Sequence, residues 1–336
     1  MFESYSTEAQ FALQAVRKAV KLCRQIQAEM VHPAITKADR SPVTVADYAS
    51  QALIGHMLMK EFPLDRLVAE EDSKTLKDDA DGETLEHVTS YIRRVIPKAD
   101  NEQVCVWIDH GAQDPGDRFW TCDPIDGTKG FLRGDQYVTA LALIEAGKVV
   151  VAALGCPNLD RRMRPSMGGE GGAAVAVRGE GSYGFGMESD DHVRLQVSDR
   201  IQTHDARLLR SFESGHTHEG RMAALVEALG TTSEPVLMDS QAKYAVMAAG
   251  DGELLFRLLS PSQPDYQEKI WDQAAGSLIV EEAGGRVSDL RGEDLDFTQG
   301  RTLHKNLGVL ASNGRLHGAA LEAIRGVGAD RRPEKS

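Results

Sequence analysis

Apolar residues recur at three- and four-residue intervals over residues 8–29, where Phe11, Ala15, Ala19, Leu22 and Ile26 define one face of an amphipathic helix. The period returns from Thr44 to Phe62 with Val45, Tyr48, Ala49, Ala52, Leu53 and Met57, and Pro42 and Pro63 punctuate the two ends. Residues 67–70 form a short apolar run closing on acids. The polar stretch 71–84 predicts a surface loop, and 86–96 a further short helix. From residue 104 the period shortens. Val104–Asp109 and Phe119–Cys122 predict strands, and Val138–Glu145 with Val149–Leu154 predict a hairpin across Ala146-Gly147-Lys148. Ala173–Val177 predicts one more strand. Many strands with short turns imply an antiparallel sheet.

Beyond about residue 200 the order alternates. Ala206–Ser211, Val236–Met238, Glu253–Leu258 and Leu307–Ala311 read as strands. Arg221–Leu229, Lys243–Ala249 and Trp271–Ala283 read as helices, and Asn313-Gly314 turns the chain into a last one. At about 150 residues per domain, 336 residues is room for two. The expected organisation is an α+β half over 1–200 and an α/β half over 201–336, with the functional site at their junction.

Composition narrows the choices. With 38 Lys+Arg against 51 Asp+Glu, the formal charge of −13 argues against a nucleic-acid-coating surface, which needs a basic face. An anionic substrate would have to meet a local positive patch or bound cations. The most apolar stretch, Tyr137 to Cys156, is interrupted by Glu145 and Lys148 and is not expected to span a bilayer. Cys23, Cys105, Cys122 and Cys156 contain no C-x-x-C pair, which points to reduced, buried thiols in a cytoplasmic protein.

The chemistry concentrates at Asp123-Pro124-Ile125-Asp126-Gly127-Thr128. Two carboxylates three residues apart across a tight turn can converge on one point with the Ile125 carbonyl between them. Hard divalent cations favour that oxygen mixture. An acidic surface turn is the plain alternative, but five fixed residue types in this order would arise by chance in roughly one such chain in ten thousand.

With its surroundings, this segment resembles the lithium-sensitive, Mg²⁺-dependent phosphatases of the inositol monophosphatase superfamily. The likeness is carried by Ser41-Pro-Val-Thr-Val-Ala-Asp47, Ala69-Glu70-Glu71-Asp72, Asp123 to Gly134, Gly155-Cys-Pro-Asn-Leu159 and Tyr266 to Gly276. Lys129-Gly-Phe-Leu-Arg-Gly134 and Tyr266-Gln-Glu-Lys269 favour its 3'(2'),5'-bisphosphate nucleotidase branch. Where relatives commonly have Gly-Glu-Glu-Ser, this chain has Ala-Glu-Glu-Asp. The resemblance implies an αβαβα sugar-phosphatase-like sandwich, with an antiparallel sheet in the first half and a mixed or parallel one in the second.

The resemblance also implies that Glu70, Asp123, Asp126, Asp272 and the Ile125 carbonyl bind two or three Mg²⁺, and that Asp47 and Thr128 activate the attacking water. By the residues alone, Asp47 reads first as a first-turn helix acid after Thr44, a role compatible with catalysis, and nothing separates Glu70 from Glu71. The resemblance places His216, Ser240, Lys243, Arg257 and Thr128 on the substrate. A solvated helix lysine and a strand-edge arginine are the plain alternatives for Lys243 and Arg257. The implied activity removes the 3'-phosphate of 3'-phosphoadenosine 5'-phosphate, with its 5'-phosphosulfate as a related substrate. An inositol mono- or polyphosphate phosphatase and a non-catalytic Mg²⁺/nucleotide sensor are the alternatives. The expected partner is a small phosphorylated molecule, with no nucleic-acid polymer and no membrane. Oligomeric state stays open.

Overall fold

The structure is a computed structural model that describes residues 2–29, 45–78, 82–165, 170–212 and 220–333, with the backbone alone at 35–36, 42–43 and 219. Helix α1 (Ser6–Glu29) buries Phe11, Ala15, Ala19, Leu22 and Ile26, the face its periodicity defines. After a two-stranded ribbon, β1 (Ile35–Thr36) and β2 (Pro42–Val43), comes α2 (Val45–Glu61). Then follow β3 (Arg66–Ala69), α3 (Lys74–Asp78), α4 (Glu83–Arg93) and α5 (Asn101–Asp109). Strands β4 (Arg118–Asp126), β5 (Val138–Glu145), β6 (Lys148–Cys156), β7 (Gly172–Val177), β8 (Gly181–Gly186) and β9 (His192–Arg194) complete the first half, with the short α6 (Thr128–Arg133) between β4 and β5. The seven strands β3 to β9 lie in sequence order. All pairs are antiparallel except β3 with β4, which is parallel because three helices intervene.

The chain then builds a five-stranded mixed sheet in the order β11-β10-β12-β14-β13. Its strands are β10 (Leu208–Arg210), β11 (Val236–Leu237), β12 (Leu254–Arg257), β13 (Arg286–Ser288) and β14 (Val309–Ser312). Helices α7 (Glu219–Leu229), α8 (Ala242–Ala248), α9 (Ala274–Glu282) and α10 (His317–Gly326) connect and cover them. Alternation of side chains decides the layering. Trp120, Cys122, Leu141, Leu143, Val151 and Val175 pack with Ala12, Val16 and Val20 of α1. Phe119, Ala140, Ala142, Ala152 and Ala174 face the other way, onto Tyr244, Leu278 and Ile279 of α8 and α9 and then Leu209, Leu255 and Ala311 of the second sheet. Leu208, Leu254, Phe256 and Leu310 carry the outermost layer with Leu225 and Ile324. Five layers result, αβαβα.

Three local expectations are corrected. Val104–Asp109 is the second half of helix α5, not a strand: Val104, Trp107 and Ile108 are buried at three- and four-residue spacing while Val106 is exposed. The polar stretch after Glu71 contains α3, held by Ser73 and Lys77 on Asp109. Trp271 and Asp272 lie in the turn before α9 rather than inside it. Strands β8 and β9 carry no apolar run long enough to read. Gly184 sits in β8 where a Cβ would lie 2.2 Å from the Arg161 carbonyl, so close packing selects glycine over a β-forming residue.

Candidate active site

The β4–β5 ladder slips at the end of β4. Asp123 stands opposite Ala140 and Asp126 opposite Val138, so three steps on one strand match two on the other. Pro124, without an N–H, occupies the slip. Its carbonyl accepts from the hydroxyls of Ser50 (3.1 Å) and Thr139 (3.0 Å). Gly127 then takes φ of 90° with a Cβ position 2.9 Å from that of Ser240, so a side chain there meets both backbone strain and a close neighbour. The bulge and turn together set Asp123, the Ile125 carbonyl, Asp126 and Thr128 at one corner. Cys122 faces α1 instead, by strand alternation.

Two further elements bring acids to this corner. Parallel pairing of Ala69 with Cys122 carries Glu70 to the same end of the sheet. Asp47 is buried in the first turn of α2; Thr44, its capping partner by sequence, lies outside the described residues. From the second half, the turn before α9 supplies Asp272. Burial pushes the Asp123 carboxyl well above the usual carboxylate range, and Glu70, Asp126, Asp272 and Asp47 add to the shift in that order. Burial likewise raises Asp272, against the pull of Arg257, while Asp126 and Glu70 press it further up. Four of the five acids expected from the sequence are therefore within electrostatic reach of the fifth, Asp123. Glu71 is buried with its backbone held elsewhere, and it is Glu70 whose charge acts on Asp123 and Asp272.

Asp123 Oδ1 is buried without a hydrogen-bond donor among the described residues. Such an oxygen, among several like charges, fits a hard divalent cation. As the side chains stand, no three acidic, imidazole or thiol groups among the described residues close tightly enough on one point to enclose an ion. Uncompensated carboxylates repel one another, and Asp126 is drawn to the Gln241 N–H at 2.6 Å. The Thr128 hydroxyl donates to the Ile125 carbonyl at 3.2 Å.

Positive charge meets this corner from the second half. Lys243 is buried in α8, not a solvated helix residue; its ammonium donates to the Met238 carbonyl at 3.2 Å. Burial brings it down to about 8 even though Asp126 and Asp239 favour its charge. Arg257 ends β12, a central strand rather than an edge, and pairs with Glu268 at 2.9 Å. Both cations lower the neighbouring Asp126 against a larger rise from its burial. Ser240 adopts φ of 68° beneath Gly127, and its hydroxyl accepts from the Ala242 N–H at 3.2 Å. His216 lies outside the described residues.

Two glutamines that the sequence reading passed over hold this arrangement. Gln51, one turn after Asp47 in α2, accepts from the Glu71 N–H (2.9 Å) and donates to the Glu71 carbonyl (2.6 Å) and that of Ile108 (2.9 Å). Gln241, besides its backbone bond to Asp126, donates to the Trp271 carbonyl (3.0 Å) and accepts from the Gly276 N–H (3.0 Å). The i+4 spacing of Asp47 and Gln51 was a visible cue. Gln241 gave none, because its partners come from another element.

Two sheets in an αβαβα stack, with acids gathered at a bulged strand end and answered by the buried Lys243 and the half-buried Arg257, define a phosphatase class. The chain belongs to the inositol monophosphatase family, whose model matches residues 4–329, and dependence on a metal ion goes with that family. It is 41% identical over 343 residues to the Schizosaccharomyces pombe 3'(2'),5'-bisphosphate nucleotidase, covering 96% of both chains. Among solved structures, the Thermotoga maritima IMPase superimposes with a TM-score of 0.66 at 20% identity, over 96% of this chain and 98% of that one. An IMPase/NADP phosphatase complexed with NADP and Ca²⁺ has a TM-score of 0.65 at 18% identity, covering 98% and 100%.

Proposed function

We propose that this protein is a Mg²⁺-dependent 3'(2'),5'-bisphosphate nucleotidase that removes the 3'-phosphate of 3'-phosphoadenosine 5'-phosphate, with its 5'-phosphosulfate as a related substrate. The observation that carries the reading is the pairing of an acidic cluster centred on the buried Asp123 with two cations, the buried Lys243 and the half-buried Arg257, in a chain 41% identical over nearly its whole length to a nucleotidase of that name. Glu70, Asp123, Asp126, Asp272 and the Ile125 carbonyl would hold two or three Mg²⁺. Bound there, the ions supply charge neutralisation and water activation. Asp47 and Thr128 orient the attacking water for in-line approach: its oxygen bonds to phosphorus, the P–O3' bond breaks, and the sugar oxygen takes up a proton, giving AMP and phosphate. Ser240, Lys243 and Arg257, with His216, hold the bisphosphorylated substrate. Lys243 and Arg257 serve as charge-assisted donors for the second phosphate.

The two halves, 1–200 and 201–336, share the work: the first contributes most of the ligands, the second the substrate contacts and Asp272. No helix among the described residues is long and apolar enough to cross a membrane, and four buried, unbridged cysteines support a reducing, cytoplasmic setting. The inositol phosphatase reading is disfavoured because relatives 41% and 39% identical over 96% of this chain, from Schizosaccharomyces pombe and Oryza sativa, are nucleotidases by name. Phosphate release across a panel of nucleotides and inositol phosphates, with and without Mg²⁺ and Li⁺, tests the reading. A higher kcat/KM on bisphosphorylated nucleotides, lost without Mg²⁺ and inhibited by Li⁺, is expected. Preference for inositol phosphates, or nucleotide binding without phosphate release, would replace it.

A further inference from the structure

The acidic cluster draws on both halves of the chain, yet no strand ladder sets the spacing between Glu70, just past β3, and Asp272, in the turn before α9. Arg301 spans that gap. Its backbone is tied to the Asp272 arm: the Ile270 N–H donates to the Arg301 carbonyl at 3.2 Å, Lys269 pairs with Thr302, and the Leu303 N–H donates to the Glu268 carbonyl at 2.8 Å. Its guanidinium carbon lies 4.9 Å from the centre of the Trp271 ring, the residue before Asp272. The far end of the fork donates to the carbonyl of Ala69, the residue before Glu70. The near end points at the carbonyls of Gly111 (3.4 Å) and Gln113 (3.3 Å).

Every one of these partners is a carbonyl or a ring; none is a carboxylate. Burial disfavours the charge on this guanidinium, and Asp114 and Asp72 only partly offset the effect. A surface-seeking arginine would avoid that position. The residues on either side of Glu70 are fixed in turn. The Ala69 N–H donates to the Gly111 carbonyl at 2.8 Å, and Gln51 holds both backbone groups of Glu71. A flat, multiply donating guanidinium can stack on Trp271 and reach the Ala69 carbonyl at once, which an ammonium cannot do.

We propose that Arg301 is a positioning residue of the acidic site, locking the Ala69–Glu70 and Trp271–Asp272 segments at the separation a divalent-cation site built from both would require. The proposal rests on reading Glu70 and Asp272 as metal ligands. The test uses the full chain carrying Arg301→Lys or Arg301→Ala. Mg²⁺ binding is followed by calorimetry without substrate, thermal unfolding in EDTA, and phosphate release at saturating Mg²⁺. Mg²⁺ affinity is expected to fall about tenfold in either folded variant, with the EDTA melting temperature within a few degrees of wild type and KM within about twofold. Wild-type Mg²⁺ affinity in Arg301→Lys overturns the proposal. So does a raised KM at unchanged Mg²⁺ affinity, which would make Arg301 a substrate contact. Loss of the fold in both variants overturns it too, leaving a packing role. If only Arg301→Ala fails to fold, the lysine variant decides. A wild-type protein that binds Mg²⁺ but does not hydrolyse the nucleotide defeats the nucleotidase reading and leaves the calorimetric comparison standing. One that binds no Mg²⁺ defeats both.

Discussion

At pH 7 a carboxylate in water is charged, whereas Asp123, buried, and Asp272, half-buried, stand among other acids that favour the neutral form. A bound cation would resolve this conflict, so on the proposed ligand set removing one charge without changing shape should be costly. Asp126→Asn is expected to lower kcat/KM by about 10²- to 10³-fold in a phosphate-release assay at fixed Mg²⁺; a near-wild-type kcat would defeat its role as a ligand. Lys243 raises a question of specificity. Its ammonium is buried and close enough to Asp126 to lower that acid, a position suited to a second phosphate. Lys243→Ala should therefore reduce kcat/KM on bisphosphorylated nucleotides about 50-fold, and on a simple monophosphate ester by no more than about threefold. Equal losses on both substrates would count against the contact. The Asp123–Thr128 motif was readable because its residues are neighbours in the chain. The burial of Lys243 was not, since the layers that enclose it come from strands far away in sequence.

At the scale of elements, helix α5 is instructive. Val104-Cys-Val-Trp-Ile has the β-branched and aromatic content of a strand, yet the run is helical. Asp100 accepts from the Gln103 N–H at 2.8 Å and the Gln103 side chain accepts from the Asp100 N–H at 3.2 Å. That reciprocal cap was written in the sequence as Asp-x-x-Gln, and it outweighs a local strand preference once Trp107 and Ile108 find the α2 side of the core. Asp100→Ala should destabilise the protein by about 1 kcal/mol. Scanning calorimetry would register this as a fall of about 2 °C in Tm, with kcat unchanged. A Tm unaltered by the substitution would show that tertiary packing alone holds α5. Helices α1 and α2 were legible with nearly their full extents: α1 buries one face along its length, and α2, buried on all sides from Ala46 to Gly55, is bounded in the sequence by Pro42 and Pro63. The glycine-rich β8 was not, because its residues are chosen by what packs over them.

The whole molecule couples its second sheet to pH through His317, which is buried between Ser312 and Ser288. The Ser288 hydroxyl donates to the Asp289 carbonyl at 2.8 Å, so at 2.9 Å it accepts from His317 Nε2. The Ser312 hydroxyl, which accepts from the Gly314 N–H, donates to His317 Nδ1 at 2.8 Å. This network holds the neutral ring, and burial brings its pKa down from 6.5 to about 4. The unfolded chain thus binds the proton first as pH falls. The stability gained from a neutral buried ring is fully present above pH 6.5 and is lost on descent toward 4, about 3 kcal/mol in all. Urea unfolding of wild type and His317→Gln at pH 7.5 and 4.5 checks this: the variant should lose less stability over the interval, and identical losses would refute it. By itself, the sequence determined the amphipathic first helix, the change from antiparallel strands to alternating β and α near residue 200, and the carboxylate-rich turn at Asp123–Thr128, because period and short-range spacing follow from backbone geometry. Only the tertiary structure decided that Glu70 rather than Glu71 acts on Asp123, that Lys243 is buried, and that Gln51, Gln241 and Arg301 hold the pieces in place. Those outcomes depend on strand register and layer packing, which join residues one to two hundred positions apart and leave no local mark on the chain.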